Sequence, residues 1–396
     1  MSSTHNKELL NRGVEEIIEK KSLEKKINSG KKLRVKHGVD PTTPDLHIGH
    51  AVNYLKLKEF QDQGHKVVLI IGDFTASFGD PSDRAKAREL RSLKEVRKMG
   101  DKYLDQIGKI LDLGKTEIRY NSEWYEKMSA RDLLNLMSNF TVARMLERDM
   151  FQKRITNSQE IALQEPVYPV LQGYDSVMIK SDLTVCGNDQ KFNELQGRIL
   201  QKIYNQVPQD VMTVPLLLGL DGKNKMSQSL GNYIGIDENP RVMYGKVMSI
   251  PDEIIPHYFE LAARFSEKEL KKIKEKSEDP NKRRDLKAQL ARSIVSIYNG
   301  LESAMVAEEE FNRVFRDKEY PMDMPEIKIK NPRCEDLPQM LVDLKLASSK
   351  SDARRLIEQG GVKVDRAVIS DYKASVCFHD KMVLQVGKFK FVKIRL

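Results

Sequence analysis

Apolar residues along this chain follow two patterns, which alternate over the first 220 or so positions. Lys66-Val-Val-Leu-Ile-Ile71 is a continuous apolar run of strand length, as buried parallel strands are. Leu33-Arg-Val-Lys36 alternates apolar and basic, and Glu117–Tyr120, Asp182–Cys186 and Thr213–Leu220 read as further strands. Between them apolar positions recur at helical spacing: Leu46, Ile48, Val52, Leu55 and Leu57; a long charged helix ending near Leu113; two or three helices over 122–149; Val167, Val170, Leu171, Tyr174, Val177 and Met178; and a helix from Gly187 to about Tyr204. Residues 1–30, with Leu9, Leu10, Val14, Ile17 and Ile18, read as an amphipathic helix. Strands alternating with helices predict an α/β fold around a parallel sheet.

After Gly231 strand character disappears. Ser266-x-x-Glu269 is a capping box, and Leu286, Leu290, Ile294 and Ile297 form an apolar helical stripe, so 231–317 reads as an α-helical domain. A proline-rich linker is expected over 318–337. The tail, 338–396, reads as a small α+β unit. It has a helix, a Ser-rich cap, a helix bearing Arg354 and Arg355, a Gly360-Gly361 turn, a strand carrying Lys363, and closing strands from Val383 to Ile394.

Composition adds the setting. With 396 residues, 40% hydrophobic and 32% charged, the chain has room for two or three globular domains. No eighteen-residue apolar run and no apolar leader core occur, so a cytoplasmic protein with no membrane partner is expected. Cys186, Cys334 and Cys377 lie far apart, which predicts no disulfide framework and a reducing compartment. Of the net charge of +9, the last 59 residues hold +6 (eight Lys and four Arg against six Asp and Glu). Concentrated on a helix pair and a turn, that excess favours a phosphate-contacting surface over a merely solvated face.

The chemistry centres on Val39-Asp-Pro-Thr-Thr-Pro-Asp-Leu-His-Ile-Gly-His-Ala51, a strand-to-helix crossing. Pro41 and Pro44 fix the turn, Asp45 is the expected cap, and His47-Ile-Gly-His50 lies on the first helical turn. A helix start turns its unbonded N–H groups outward, which suits polyphosphate, and Gly49 lets a flat ring approach the backbone. The two histidines have no further ligands at metal spacing, so no metal held by protein side chains is expected. Tyr168, Gln172 and Asp175, at i, i+4 and i+7, share one helix face that forms either a solvent stripe or a pocket wall.

The histidine signature after a strand resembles that of the class I aminoacyl-tRNA synthetases. Lys225-Met226-Ser227 with Ser229, in the polar loop after the last strand, looks like their second signature. The tail resembles an S4-type RNA-binding module. The order of parts and the Tyr168, Gln172, Asp175 helix resemble the bacterial tyrosyl-tRNA synthetase family; the tryptophanyl enzymes, which share the catalytic fold, are the close alternative.

The resemblance implies a Rossmann-type catalytic domain over 1–230 with a dimer-forming helical insertion at about 123–165, an anticodon-binding role for 231–317, and an S4-like domain at 338–396. It implies L-tyrosine, ATP with Mg²⁺ as a substrate complex and tRNA(Tyr) as partners, a homodimer, and no tightly bound cofactor. By the same resemblance Thr42 and His47 donate to the β- and γ-phosphates and Lys225 reaches the leaving pyrophosphate. His50 and Gly49 sit against the nucleotide, Asp40 lies near the adenylate, Gly187 and Asp189 contact the ribose, and Ser227 and Ser229 complete the ATP site. Asp175 reads the phenol hydroxyl, a group phenylalanine lacks. Tyr168, Gln172 and Asp80 hold the ammonium, and Thr75 and Gln190 complete that pocket. Asp80 also reads as a turn residue before Pro81. Arg84 and Arg88 are further cations for the phosphates, and Arg354, Arg355 and Lys363 are the tail's tRNA contacts. Two departures stand out. Gln228 replaces the second signature lysine, which removes a phosphate-neutralising charge, and Lys36 stands where the other bacterial subfamily has a tyrosine. The first leaves a second reading open, a catalytically weak RNA-binding protein on a synthetase scaffold.

Overall fold

The computed structural model describes all residues except 1–2, 44, 81–91, 317–318, 321–323, 330–333 and 388–389. The expected turn residue Pro44 and the expected cations Arg84 and Arg88 therefore lie outside the described residues. The chain divides into two compact units, one of residues 1–239 and 246–301 and one of residues 240–245 and 302–396.

The first unit is built on a six-stranded sheet of β1 (Glu16–Ile18), β2 (Arg34–Val39), β3 (Lys66–Ile71), β4 (Glu117–Tyr120), β5 (Leu183–Gly187) and β6 (Asp210–Val214). Its order is β1-β6-β5-β2-β3-β4, parallel throughout except at β1. The apolar run of β3 is buried on both faces, from Val67 to Ile71. Helices Ile48–Asp62, Tyr168–Ile179 and Lys191–Ile203 make the crossings. The α/β reading is what the sheet shows.

Three local expectations are corrected. Residues 16–18 are a strand rather than a continuing helix, because Ile17 and Ile18 pair with Met212 and Val211 at the sheet edge. The last strand ends at Val214, not Leu220, since Pro215 has no N–H to extend the ladder. Asp45 is not the helix cap. His47 takes that position in extended conformation, and the Ile48 N–H bonds the Ile234 carbonyl, which sets the helix start two residues later. The helices from Ile255 to Asn299 are compact with this unit, and Ser266 and Glu269 form the expected capping box.

The second unit carries a five-stranded sheet in the order β10-β9-β12-β13-β7 and a separate β8–β11 pair. These are β7 (Glu326–Lys328), β8 (Cys334–Asp336), β9 (Val362–Val364), β10 (Ala367–Ile369), β11 (Ser375–Cys377), β12 (Val383–Val386) and β13 (Lys390–Arg395). Helices Leu337–Asp343 and Lys350–Glu358 bury Leu337, Met340, Leu341, Ala353 and Ile357 against Val362, Leu384 and Ile394. Part of the expected linker is thus sheet, as β7 pairs in parallel with β13. The cysteine expectation is overturned as well. Cys334 and Cys377 are disulfide-bonded because antiparallel β8 and β11 place them directly opposite, while Cys186 is free and buried.

Candidate active site

The chain leaves β2 toward β3 on one side of the sheet and crosses to β5 and β6 on the other, so the loops following β2 and β5 diverge. Open α/β sheets bind ligands at such a switch point. A cavity of about 460 Å³ lies there. It is lined by Asp40, Thr42, His47, Gly49 and His50 from the first crossing and by Thr75 and Asp80 after β3. Tyr168, Gln172 and Asp175 line it from their shared helix face, and Gly187, Asp189 and Gln190 line it after β5. Lys225, Ser227 and Ser229 reach it from the loop after β6. The stripe left open between solvent and pocket is a pocket wall.

One end of the cavity is built around two buried carboxyls. Asp175, 4% exposed, accepts from Trp124 Nε1 and Tyr125 Oη, each at 3.0 Å. Burial pushes its pKa up to about 7 against the pull of Lys36 and of hydrogen bonds from Tyr125, Trp124 and Asn121. Asp40 accepts from Thr75 Oγ1 at 2.9 Å and Tyr168 Oη at 2.8 Å, and burial raises it to about 7 as well. With its proton given to Asp40, the Tyr168 oxygen can only accept from anything else. Gly72 packs over this corner, where a Cβ would land on Asp40 Oδ1 and Thr75 Oγ1. Gly72→Ala should therefore displace both and lower the affinity of a ligand seated in this corner at least tenfold with the fold intact, measured by titration beside circular dichroism.

The other end is shaped by the two histidines, whose rings stack at 3.7 Å while His50 Nδ1 accepts from the His47 N–H. Burial, then His50 and Lys225, depress His47 to about 2, so it is a neutral imidazole at physiological pH. Its buried Nδ1 lacks a partner among the described residues. A Cβ on Gly49 would meet that ring at 2.9 Å, so glycine here makes room for His47 as well as for a ligand. Lys225 Nζ lies 3.9 Å from Asp189 Oδ2. Gln228 Nε2 donates to the Asp45 carbonyl at 2.6 Å and ties the lysine loop to the first crossing.

In the second unit Arg354 and Arg355 are exposed, the first over the Tyr372 ring at 5.5 Å and the second paired with Asp352 at 2.7 Å; Lys363 lies on β9.

The sequence reading missed Asn121, Trp124, Tyr125, Gly72 and Glu194. Trp124, inside the expected dimer-forming insertion, is 5% exposed and belongs to the Asp175 site. A signal existed. Asn121-Ser-Glu-Trp-Tyr125 follows the carboxyl end of β4, and open α/β sheets bind ligands at the carboxyl ends of their strands.

Residues 28–316 match the model of the tRNA synthetases class I (W and Y), and residues 337–381 match the S4 domain. The chain belongs to this class I synthetase family. It is similar to the tyrosine–tRNA ligase of Thermotoga maritima, 48% identical over 98% of this chain and 96% of that protein. The tyrosine–tRNA ligase of Moorella thermoacetica is 45% identical over 98% of this chain and 94% of that one. The fold is shared with a C-terminally truncated mitochondrial tyrosyl-tRNA synthetase of Coccidioides posadasii, with a TM-score of 0.64 at 22% identity, covering 78% of this chain and 92% of that one.

Proposed function

We propose that this chain is a tyrosine–tRNA ligase. It activates L-tyrosine with ATP to tyrosyl-adenylate and pyrophosphate, then transfers the tyrosyl group to the 3′ end of tRNA(Tyr). The observation that carries the reading is Asp175, a buried carboxylate on the pocket wall to which a phenol hydroxyl can donate and to which phenylalanine, with no side-chain donor, cannot.

Neither step calls for a protein nucleophile. The site positions two reactants and neutralises charge growing on phosphate oxygens. Asp175 accepts the phenol O–H; Gln172, Tyr168 and Asp80 accept from the ammonium, with Thr75 and Gln190 completing the pocket. That leaves the tyrosine carboxylate facing the α-phosphorus of ATP, which enters as its magnesium complex. Thr42 and neutral His47 donate to the β- and γ-phosphates, Gly49 and His50 pack on the nucleotide, and Asp40 lies by the adenylate. Gly187 and Asp189 hold the ribose, and Ser227, Ser229 and Lys225 close over the leaving pyrophosphate.

Tyrosine-dependent exchange of pyrophosphate into ATP tests the assignment. Exchange with tyrosine and none with phenylalanine or tryptophan is expected. No exchange with any of them would leave only the RNA-binding reading, and equal exchange with tryptophan would remove tyrosine as the substrate.

The raised carboxyls predict a pH dependence. Asp175 and Asp40 titrate near 7 when folded and near 3.8 when not, so the apo fold holds extra protons in that window, and their contribution to its stability falls as pH rises from about 4 to 7. Tyrosine needs the ionised acceptor, so its affinity should rise by up to about tenfold per pH unit below 7 and level off above. Titration at pH 6, 7 and 8 checks this, and a flat profile would contradict it.

The remaining assignments are coarser. A homodimer through 123–165 is supported by exposed Leu134, Val142 and Leu163, at 64%, 72% and 86%. Sedimentation showing only monomer at micromolar concentration would remove it. Arg354, Arg355 and Lys363 are proposed to contact tRNA phosphates, and the helices of 231–317 its anticodon arm. Among the described residues no helix is long and apolar enough to cross a membrane. ATP and tRNA as substrates support a cytoplasmic location, where the Cys334–Cys377 bond would meet a reducing thiol pool.

A further inference from the structure

At the pocket wall, which Glu194 helps to line, lies a buried ion pair that the reaction itself does not call for. Lys36 on β2 and Glu194 on the helix Lys191–Ile203 are 0% and 2% exposed, with Nζ 2.9 Å from Oε2. Lys36 Nζ also donates to Ser176 Oγ at 2.8 Å and to the Gln172 carbonyl at 3.1 Å. The other oxygen of Glu194 begins a chain of amides. Oε1 accepts from Gln172 Nε2 at 2.8 Å, and Gln172 Oε1 accepts from Asn193 Nδ2 at 2.9 Å. Asn193 Nδ2 also donates to Gln190 Oε1 at 3.0 Å, and Gln190 Nε2 donates to Asp80 Oδ2 at 2.8 Å.

A carboxylate only accepts, so a chain with one at each end has a single polarity. Glu194 compels Gln172 to turn its NH₂ inward, Asp80 compels the same of Gln190, and both amide oxygens then converge on Asn193. The buried Asn193 Oδ1 is left without a partner among the described residues, a cost that goes with enforcing this direction.

We infer that the Lys36–Glu194 pair is a positioning device for amino-acid recognition: it locks Gln172 with its oxygen presented as an acceptor to the substrate ammonium. The inference rests on the tyrosine reading of this site. An ammonium group has only donors, so a flipped Gln172 would oppose it with another donor. Lys36 supplies the counter-charge that lets a carboxylate stay buried there.

The test compares L-tyrosine, tyramine, which keeps the ammonium, and 3-(4-hydroxyphenyl)propanoate, which lacks it. In Glu194→Gln the new amide must give its oxygen to Lys36 and its NH₂ to Gln172, which reverses the chain. Tyrosine and tyramine should each bind roughly ten- to a hundredfold more weakly, and the propanoate within about twofold of wild type. The exchange between positions, Gln172→Glu with Glu194→Gln, keeps every charge and restores an obligate acceptor, so the preference for tyrosine over the propanoate should return. Equal weakening of all three ligands, or no weakening, would overturn the inference. If the single variant does not fold, the exchanged pair decides alone, and its failure to prefer tyrosine is the overturning result. If wild-type protein shows no preference for tyrosine over the propanoate, the tyrosine reading itself fails.

Discussion

Asp175→Asn is expected to lower kcat/KM for tyrosine by about 10²–10³-fold and to leave phenylalanine nearly unchanged, so that the preference collapses. Asp175 Oδ1 already accepts from Trp124 Nε1 and shares the single Tyr125 Oη proton with the Leu171 carbonyl, which lies 2.5 Å from that hydroxyl. An asparagine has one acceptor atom, which these two donors claim, and its NH₂ then faces the incoming phenol. The hydroxyl loses a charge-assisted acceptor inside a buried site, whereas a phenylalanine ring has no hydroxyl to lose one. The variant should fold at least as well as wild type at pH 8, because it removes a buried carboxyl that burial penalises when ionised. Pyrophosphate exchange with both amino acids, beside a melting curve, separates the outcomes. An unchanged tyrosine-to-phenylalanine ratio would mean that another group reads the hydroxyl.

Much of this site was legible because its parts obey local rules. A parallel strand buried on both faces is continuous apolar sequence, as in Val67–Ile71, and ligands gather where such strands end. The face shared by Tyr168, Gln172 and Asp175 follows from helical periodicity alone. What was not legible depends on partners distant in sequence. The strand at Glu16–Ile18 exists because β6 offers an edge about 195 residues later. Lys36 read as one alternating position in a strand, and only the fold brings Glu194 to it across 158 residues. The helix start moved from Asp45 to His47 because the Ile234 carbonyl fixes the Ile48 N–H, a contact that outweighs capping preference. The Cys334–Cys377 bond depends on a strand register that spacing does not reveal.

Lys225→Ala is expected to lower tyrosine-dependent exchange by about 10²–10³-fold while tyrosine affinity stays within twofold. The backbone of the loop that carries the lysine is held along its length, Lys225 itself bridging Leu218 and its carbonyl accepting from Asn232 Nδ2 at 3.2 Å. Asp221 accepts from the Lys223 and Asn224 N–H groups at 3.0 and 3.1 Å, Met226 is buried with its N–H on the Leu217 carbonyl, and the Ser227 N–H bonds Asn232 Oδ1 at 2.8 Å. The Lys225 side chain, 40% exposed, lies on the cavity beside Asp189 and away from the Asp175 corner, so its loss should touch the phosphate step and spare the phenol. Gln228 supplies a control on the same loop. Its amide tethers the loop to Asp45 without adding charge, so Gln228→Lys should keep a donor for that carbonyl, add a cation near the phosphates and raise exchange by about tenfold. Exchange at saturating tyrosine with ATP varied reads both variants. A Lys225→Ala protein that keeps its rate, or loses tyrosine binding along with it, would show that the lysine shapes the pocket instead of stabilising the departing pyrophosphate.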